Sequence, residues 1–334
     1  MKWLFRIAAV LIALLVTVFL IFRTPDTDAE AMIAKYGGNP SQFVEIGSGV
    51  RVHLRDEGPR GAPAIVLLHG SNSDLHTWDE WANGLSADYR VIRFDQVGHG
   101  LTGGDPDDDY SIANFVEDIG EVADALDLDR FVLGGNSMGG KHALAFAAAY
   151  PERVGGLVLV DASGGPIPDE VRNDEADDDG GGGNIGFTIA RLPGINKIAE
   201  QITPRSLIAQ SLEQTVSVKE VVDDAMIDRY WELLRFPGNR AATLARFSAN
   251  YDPLTEAQIA AIQAPTLIIW GDEDRLIPLS AGRWLDQTMP NSDLVVYDGV
   301  GHLPQKEVPD ATLADLRRWL DAQPFSRVSA TDTN

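Results

Sequence analysis

Between residues 43 and 54 apolar and polar positions alternate on either side of Gly47-Ser48-Gly49. That is the pattern of two half-buried strands joined by a tight turn. Further along the alternation stops. Residues 64–68 (Ala-Ile-Val-Leu-Leu) are apolar without a break, as a strand covered on both faces must be. Short strand patterns recur at 90–94, 131–133, 156–160, 266–270 and 294–297. Between them the period changes. Ile112, Phe115, Val116, Ile119, Val122, Ala123 and Leu126 share one helical face, and Ser111 is placed to cap its start. Helical patterns also run over 141–150, 281–288 and 309–320. Strands alternating with helices predict an α/β fold: a mostly parallel central sheet, helices on both faces, and functional residues at the C-terminal strand ends.

Two stretches break that alternation. About 100 residues separate the strand ending at Val160 from the one starting at Thr266, far more than a simple crossover needs. They predict an inserted, mainly helical cap over 164–250. Its first part carries the acidic run Asp174 to Asp179 and four glycines, and reads as flexible. Ile185, Phe187, Ile189, Leu192 and Ile195 follow. Helical patterns at 218–236 and 240–248 come next, with Met226, Ile227, Tyr230, Leu233 and Leu234 on one face.

The other exception is the N-terminus. Lys2 and Arg6 precede sixteen uncharged residues, 7–22, about 24 Å of helix against a roughly 30 Å hydrocarbon core. Trp3, Leu4 and Phe5 lengthen the span if Arg6 snorkels. Residues 1–23 are therefore expected to be an uncleaved membrane anchor with the domain on the extracytoplasmic side. The alternative is secretion after signal cleavage near Ala29-Glu30-Ala31. Residues 24–42, with Pro25, Gly37-Gly38 and Pro40, read as a linker. The expected organisation is then anchor 1–23, linker 24–42, core 43–163, cap 164–250, core 251–322 and tail 323–334.

Composition narrows the chemistry. The 334 residues contain no cysteine, which excludes disulfides, thiolate metal sites and a cysteine nucleophile. The net charge of −23 repels nucleic acid, so no such partner is expected. Acidic clusters such as Asp105 to Asp109 read as solvated loops. The histidines show no H-E-x-x-H spacing, so no zinc site is expected.

What remains is a serine constellation. Gly135-Asn136-Ser137-Met138-Gly139-Gly140 stands between a strand and an Ala-rich helix. In that setting G-x-S-x-G presents an exposed serine on a strained turn. Asp272, Glu273 and Asp274 follow the strand at 266–270, and His302 follows the strand at 294–297. Serine, acid, histidine is the chain order of a triad on this kind of sheet. The serine needs the histidine to take its proton, and the histidine needs a carboxylate to fix its tautomer.

From residue 43 to residue 320 the chain resembles the α/β-hydrolase fold superfamily, serine-nucleophile branch. The resemblance rests on His69-Gly70, Asp95-x-x-Gly98-His99-Gly100, the elbow around Ser137, Gly271-x-x-Asp274-x-x-x-Pro278 and Gly301-His302-x-Pro304. It implies a Ser137–Asp274–His302 triad, with Asp272 as runner-up for the acid. It also implies an oxyanion hole from the backbone N–H groups of Ser71 and Met138. His69 and His99 fit family turns and are expected to support loops.

The expected activity is hydrolysis of carboxylic esters, apolar or lipid-like, through an acyl-enzyme, with a small-molecule ester and a membrane (through residues 1–23) as partners. Hydrolysis by a serine nucleophile needs no cofactor. The alternative is a hydrolase of C–C bonds in ring-fission products of aromatic breakdown, which the GNSMGG run also resembles. Those enzymes typically carry Trp after the triad histidine, where this chain has Leu303. A ligand-binding receptor on the same fold is the non-enzyme alternative. Substrate identity and oligomeric state are not legible.

Overall fold

The computed structural model of the chain describes residues 2–165, 201–248 and 253–323. Eight strands form one sheet: β1 (Ser41–Glu45), β2 (Arg51–Glu57), β3 (Ala64–Leu68), β4 (Arg90–Phe94), β5 (Phe131–Asn136), β6 (Val154–Val160), β7 (Thr266–Gly271) and β8 (Ser292–Tyr297), in the order β1-β2-β4-β3-β5-β6-β7-β8. The expected hairpin pairs β1 with β2, Phe43 opposite His53, and β2 runs antiparallel to β4. From β4 onward every pairing is parallel.

Period-two alternation divides the sheet's side chains between two cores. Val66, Leu68, Ile92, Phe94, Leu133, Leu157, Leu159, Ile268 and Trp270 join one cluster, with Phe115, Ile119, Leu144 and Phe146 from the helices Ile112–Ala125 and Met138–Ala149. Ile65, Leu67, Val91, Val132, Val158, Leu267 and Ile269 face the other way. They meet Trp78, Trp81, Leu85, Leu316 and Trp319, from the segment around Asp79–Leu85 and from the helix Pro309–Ala322. Double coverage is why these strands read as continuous apolar runs.

Between β6 and β7 the described part of the cap contains the helices Arg205–Thr215, Asp224–Leu234 and Asn239–Ser248. The helix expected over 218–236 is shorter. Asp223 enters in an extended conformation and its side chain accepts the Met226 N–H at 2.7 Å, so the helix starts there. The acidic run and the apolar positions 185–195 lie outside the described residues.

The structure bears on two N-terminal expectations. The linker is docked. Asp28 caps the helix Ala29–Tyr36, and Met32, Ile33 and Tyr36 pack with Leu101, Leu233 and Phe236. Upstream, the Thr27 N–H donates to the Arg235 carbonyl at 2.9 Å, and Arg240 donates to the Thr24 carbonyl at 2.8 Å and to Asp26 Oδ1 at 2.6 Å. Residues with turn-forming composition thus make a strap, because Asp28 supplies a cap and the cap domain supplies an apolar seat. Second, Lys2–Phe22 is helical, but five of its side chains are not among those described. Among the described residues no helix is long and apolar enough to cross a membrane, and the anchor has no support there.

Candidate active site

β5 ends at Asn136 and the helix Met138–Ala149 begins at once, so Ser137 alone turns the chain. It does so at φ 53° and ψ −117°, a conformation costly for a residue with a side chain. Close packing sustains the turn. A Cβ on Gly135 would collide with the Gly139 carbonyl group, and one on Gly139 with the Leu68 carbonyl oxygen. Backbone bonds pin Ser137 on both sides. Its N–H donates to the Val160 carbonyl at 3.0 Å, and its own carbonyl accepts the Ser163 N–H at 3.1 Å. Its side chain stands at a helix start, where the leading N–H groups, that of Met138 first, have no partner within the helix.

His302 is held from three directions. Its N–H donates to the carbonyl of Thr215 in the cap at 3.0 Å. Its carbonyl accepts Asn136 Nδ2 at 3.1 Å, the same amide that donates to the Val160 carbonyl at 3.1 Å. Its Nδ1 lies 2.7 Å from Asp274 Oδ2, and both side chains are buried. That contact assigns the proton to Nδ1 and leaves Nε2 as the basic nitrogen. Asp274 Oδ1 accepts the N–H groups of Leu276 at 2.8 Å and Ile277 at 3.1 Å. Asp272 instead points outward, exposed, and accepts the Gly299 N–H at 2.7 Å.

Ser137, Ser71 and His302 line one cavity of about 130 Å³, closed from the cap side by Leu207, Tyr230 and Arg240. Polar bonds and apolar packing join the cap to the core. Tyr230 Oη and Ser73 Oγ are 2.8 Å apart. Arg229 pairs with Asp74 at 3.2 Å, and His76 contacts the same carboxylate at 2.6 Å. Burial would raise Asp74, but Arg229 and His76 outweigh it and hold its carboxyl far below the usual range. Burial pushes the Tyr230 hydroxyl up to about 12, so it stays protonated.

The other histidines are structural. Burial holds His69, His99 and His142 below their ordinary range, the latter two well below it. His69 bonds the Gly70 carbonyl through Nδ1 at 2.8 Å and accepts the Gln96 N–H on Nε2 at 3.0 Å, so it braces the loop that carries Ser71.

Two buried acids beside the site carry no motif that singles them out. Asp161 follows β6 directly, and its Oδ1 accepts the Gly271 N–H at 3.1 Å. Glu307 accepts four backbone N–H groups: Ser217 at 2.8 Å, Val218 at 2.9 Å, Gly301 at 3.0 Å and Leu303 at 3.1 Å. It therefore ties the cap to both neighbours of His302. The available signals were an acid ending the apolar run Leu157 to Val160 and an acid one helical turn past His302. Among the described residues, Asp161, Asp274 and His302 also form the one His/Asp/Glu group with metal-ligand spacing. The imidazole nitrogen facing the carboxylates is committed to Asp274, and we assign no metal.

The α/β-hydrolase fold family matches the chain over residues 63–309. The chain belongs to the α/β-hydrolase fold family. Its members of known activity nearby in sequence are hydrolases, and hydrolase is the level at which the expected chemistry holds. A 2-hydroxy-6-oxononadienedioate/2-hydroxy-6-oxononatrienedioate hydrolase of Pseudomonas putida is 31% identical over 306 residues, covering 86% of this chain and 94% of that one. A hydrolase of the same name from Burkholderia vietnamiensis is 33% identical over 283 residues, covering 79% and 88%. A crystal structure of a meta-cleavage product hydrolase variant superposes with TM-score 0.70 at 25% identity, covering 84% of this chain and 97% of that one. These relatives overturn the expectation of ester hydrolysis. They are named as hydrolases of 2-hydroxy-6-oxo-dienoates and of meta-cleavage products, the substrate class that stood as the alternative. The physical reason for the misreading is that both reactions pass through attack on a carbonyl and use the same nucleophile, base and oxyanion donors.

Proposed function

We propose that this hydrolase cleaves a C–C bond in a 2-hydroxy-6-oxo-dienoate, a ring-fission product of aromatic breakdown. The observation that carries the reading is the likeness, above 30% identity over nearly the whole length, to hydrolases named for such substrates. Ser137 is the nucleophile, His302 the base, Asp274 the acid that orients it, and the N–H groups of Ser71 and Met138 the oxyanion donors. The Asp274–His302 contact of 2.7 Å supports the pairing.

The bond to be broken lies beside the ketone and has carbon as its leaving group. Ketonisation of the substrate's enol first moves a proton onto the carbon next to the reacting ketone. Ser137 Oγ then adds to that ketone as His302 takes its proton, and the backbone donors stabilise the oxyanion. Collapse breaks the C–C bond. Its electron pair spreads through the conjugated alkene onto the far carbonyl oxygen, and His302 returns the proton to this dienolate. Water, deprotonated by His302, adds to the acyl-serine and frees the acid. Arg240 is the one guanidinium lining the cavity among the described residues; its terminal nitrogens are held by Thr24 and Asp26, and its Nε, without a partner among them, is the donor that would meet the substrate's carboxylate. Leu303 leaves an aliphatic wall where those enzymes typically carry Trp.

The test is loss of the coloured dienoate chromophore with purified full-length protein beside Ser137→Ala. Turnover that disappears in the variant supports the reading. A folded protein whose Ser137 reacts with a fluorophosphonate yet leaves the dienoate untouched would sink it.

We further propose that the helix Lys2–Phe22 holds the domain at the extracytoplasmic face of a membrane. Support comes from its uncharged run and from the outward exposure of Trp3, Phe5, Leu11, Leu14 and Phe22. Release of the native protein from membranes by alkaline carbonate would refute insertion.

A further inference from the structure

Asp161 is an acid at the catalytic strand ends that the proposed reaction does not use. It is fully buried, and its backbone sits at φ 43°. Its Oδ1 takes the Gly271 N–H, while its Oδ2 is buried with no hydrogen-bond partner among the described residues. Side-chain donor atoms of Asp161, Asp274 and His302 all lie within 4.8 Å of one another.

Asp274 has the complementary vacancy. Its two oxygens offer about four acceptor positions. Leu276, Ile277 and His302 fill three of them. An open acceptor position on Asp274 thus stands near a partnerless oxygen on Asp161. Two buried carboxylates so close repel when both are ionised, whereas one proton between them makes a hydrogen bond and satisfies both. The groups facing Asp161 favour that proton. Burial first, then Asp274, and also Glu307, push its carboxyl well above the usual range; the Gly271 N–H pulls the other way.

We propose that Asp161 is a positioning residue: it stays a carboxylic acid, donates its proton to Asp274, and so fixes the carboxylate that orients His302. The pair then presents a single negative charge to the imidazole. A second negative charge there would favour the protonated imidazole over the neutral one that has to take the Ser137 proton.

The test follows the rate at which a fluorophosphonate labels Ser137 against pH in the full chain, a readout of His302 protonation that needs no substrate. Asp161→Asn keeps one donor for Asp274 and one acceptor for Gly271. It is expected to leave the acid limb of the profile in place and the rate within about threefold, because one neutral donor replaces another. Asp161→Ala strips the donor and is expected to slow labelling roughly 10- to 100-fold. An acid limb that moves to lower pH in Asp161→Asn would show that an anion had been removed, and would overturn the proposal. So would an Asp161→Ala protein that labels like wild type. Should the variants fail to fold, the infrared spectrum of the Asp118→Asn protein decides instead, since that change removes the other strongly raised buried acid among the described residues. A carboxylic-acid C=O band at neutral pH is expected, and its absence overturns the assignment.

Discussion

On the core side of the cavity, Ser137 and Asp274 follow strands buried on both faces, and His302 follows the edge strand β8. On the cap side, Leu207, Tyr230 and Arg240 are carried by helices that reach the core through the Tyr230–Ser73, Arg229–Asp74 and Glu307 contacts. The core wall is set by hydrophobic packing along whole strands, which tolerates no partial opening. The cap wall combines apolar seats, such as Leu233 and Phe236 against Leu101, with polar bonds that can be removed one at a time.

The sharpest break in this comparison comes from the core wall. Ser137→Ala should abolish dienoate turnover by on the order of 10⁴- to 10⁶-fold with no change in melting temperature. Asp274→Asn should cost about 10⁴-fold, through the wrong His302 tautomer, again without unfolding. Both are read by steady-state kinetics beside a thermal melt. A large loss of stability in either would mean that these residues hold the fold as well as the reaction.

Glu307 joins the two walls, so its variant should affect both. Glu307→Gln turns an acceptor of four N–H groups into one that donates toward some of them. We expect roughly 2–4 kcal/mol of lost stability and a kcat that falls more than KM changes, measured by denaturant titration and kinetics. A change confined to KM would restrict Glu307 to the cap.

Acid should loosen the cap before the core. Asp74 is depressed in the folded protein, so its contribution is complete above the ordinary carboxylate pKa of about 3.9 and is lost as pH falls below that, toward the depressed value. Protease cleavage within the cap should therefore rise as pH drops below about 4, while tryptophan fluorescence from the core holds. Asp74→Asn should show the loosened cap already at neutral pH. At the small end, Tyr230→Phe should cost about 1 kcal/mol and appear in KM. Asp26→Asn, at a half-exposed pair, should cost under about 1 kcal/mol by thermal melt.

The same division explains what could be read without a structure. Continuous apolar runs located β3, β6 and β7 because burial on both faces leaves few polar positions to confuse the period. The elbow was legible because only glycine fits at 135 and 139. Asp274 could be told from Asp272 only through the family motif, since three acids stand together and side-chain direction is not written in composition. Asp161 and Glu307 act through neighbours distant in sequence, Gly271 and Asp274 for one and Ser217 and Val218 for the other, and no spacing records such contacts. The strap was misread because Pro25 and Gly37-Gly38 speak locally, while its docking depends on Arg240 and Glu232 some 200 positions away. The bond to be cleaved was misjudged because the catalytic residues do not encode it.

The strap has a consequence for supply. Thr24 bonds Thr203 and Arg240, which line the cavity, and the apolar helix ends at Phe22. Two residues span at most about 7 Å. The cavity wall is thus leashed within a side chain's length of whatever surface holds that helix. A substrate gathered on that surface would meet the cavity at its local, two-dimensional concentration, not at its dilution in bulk water.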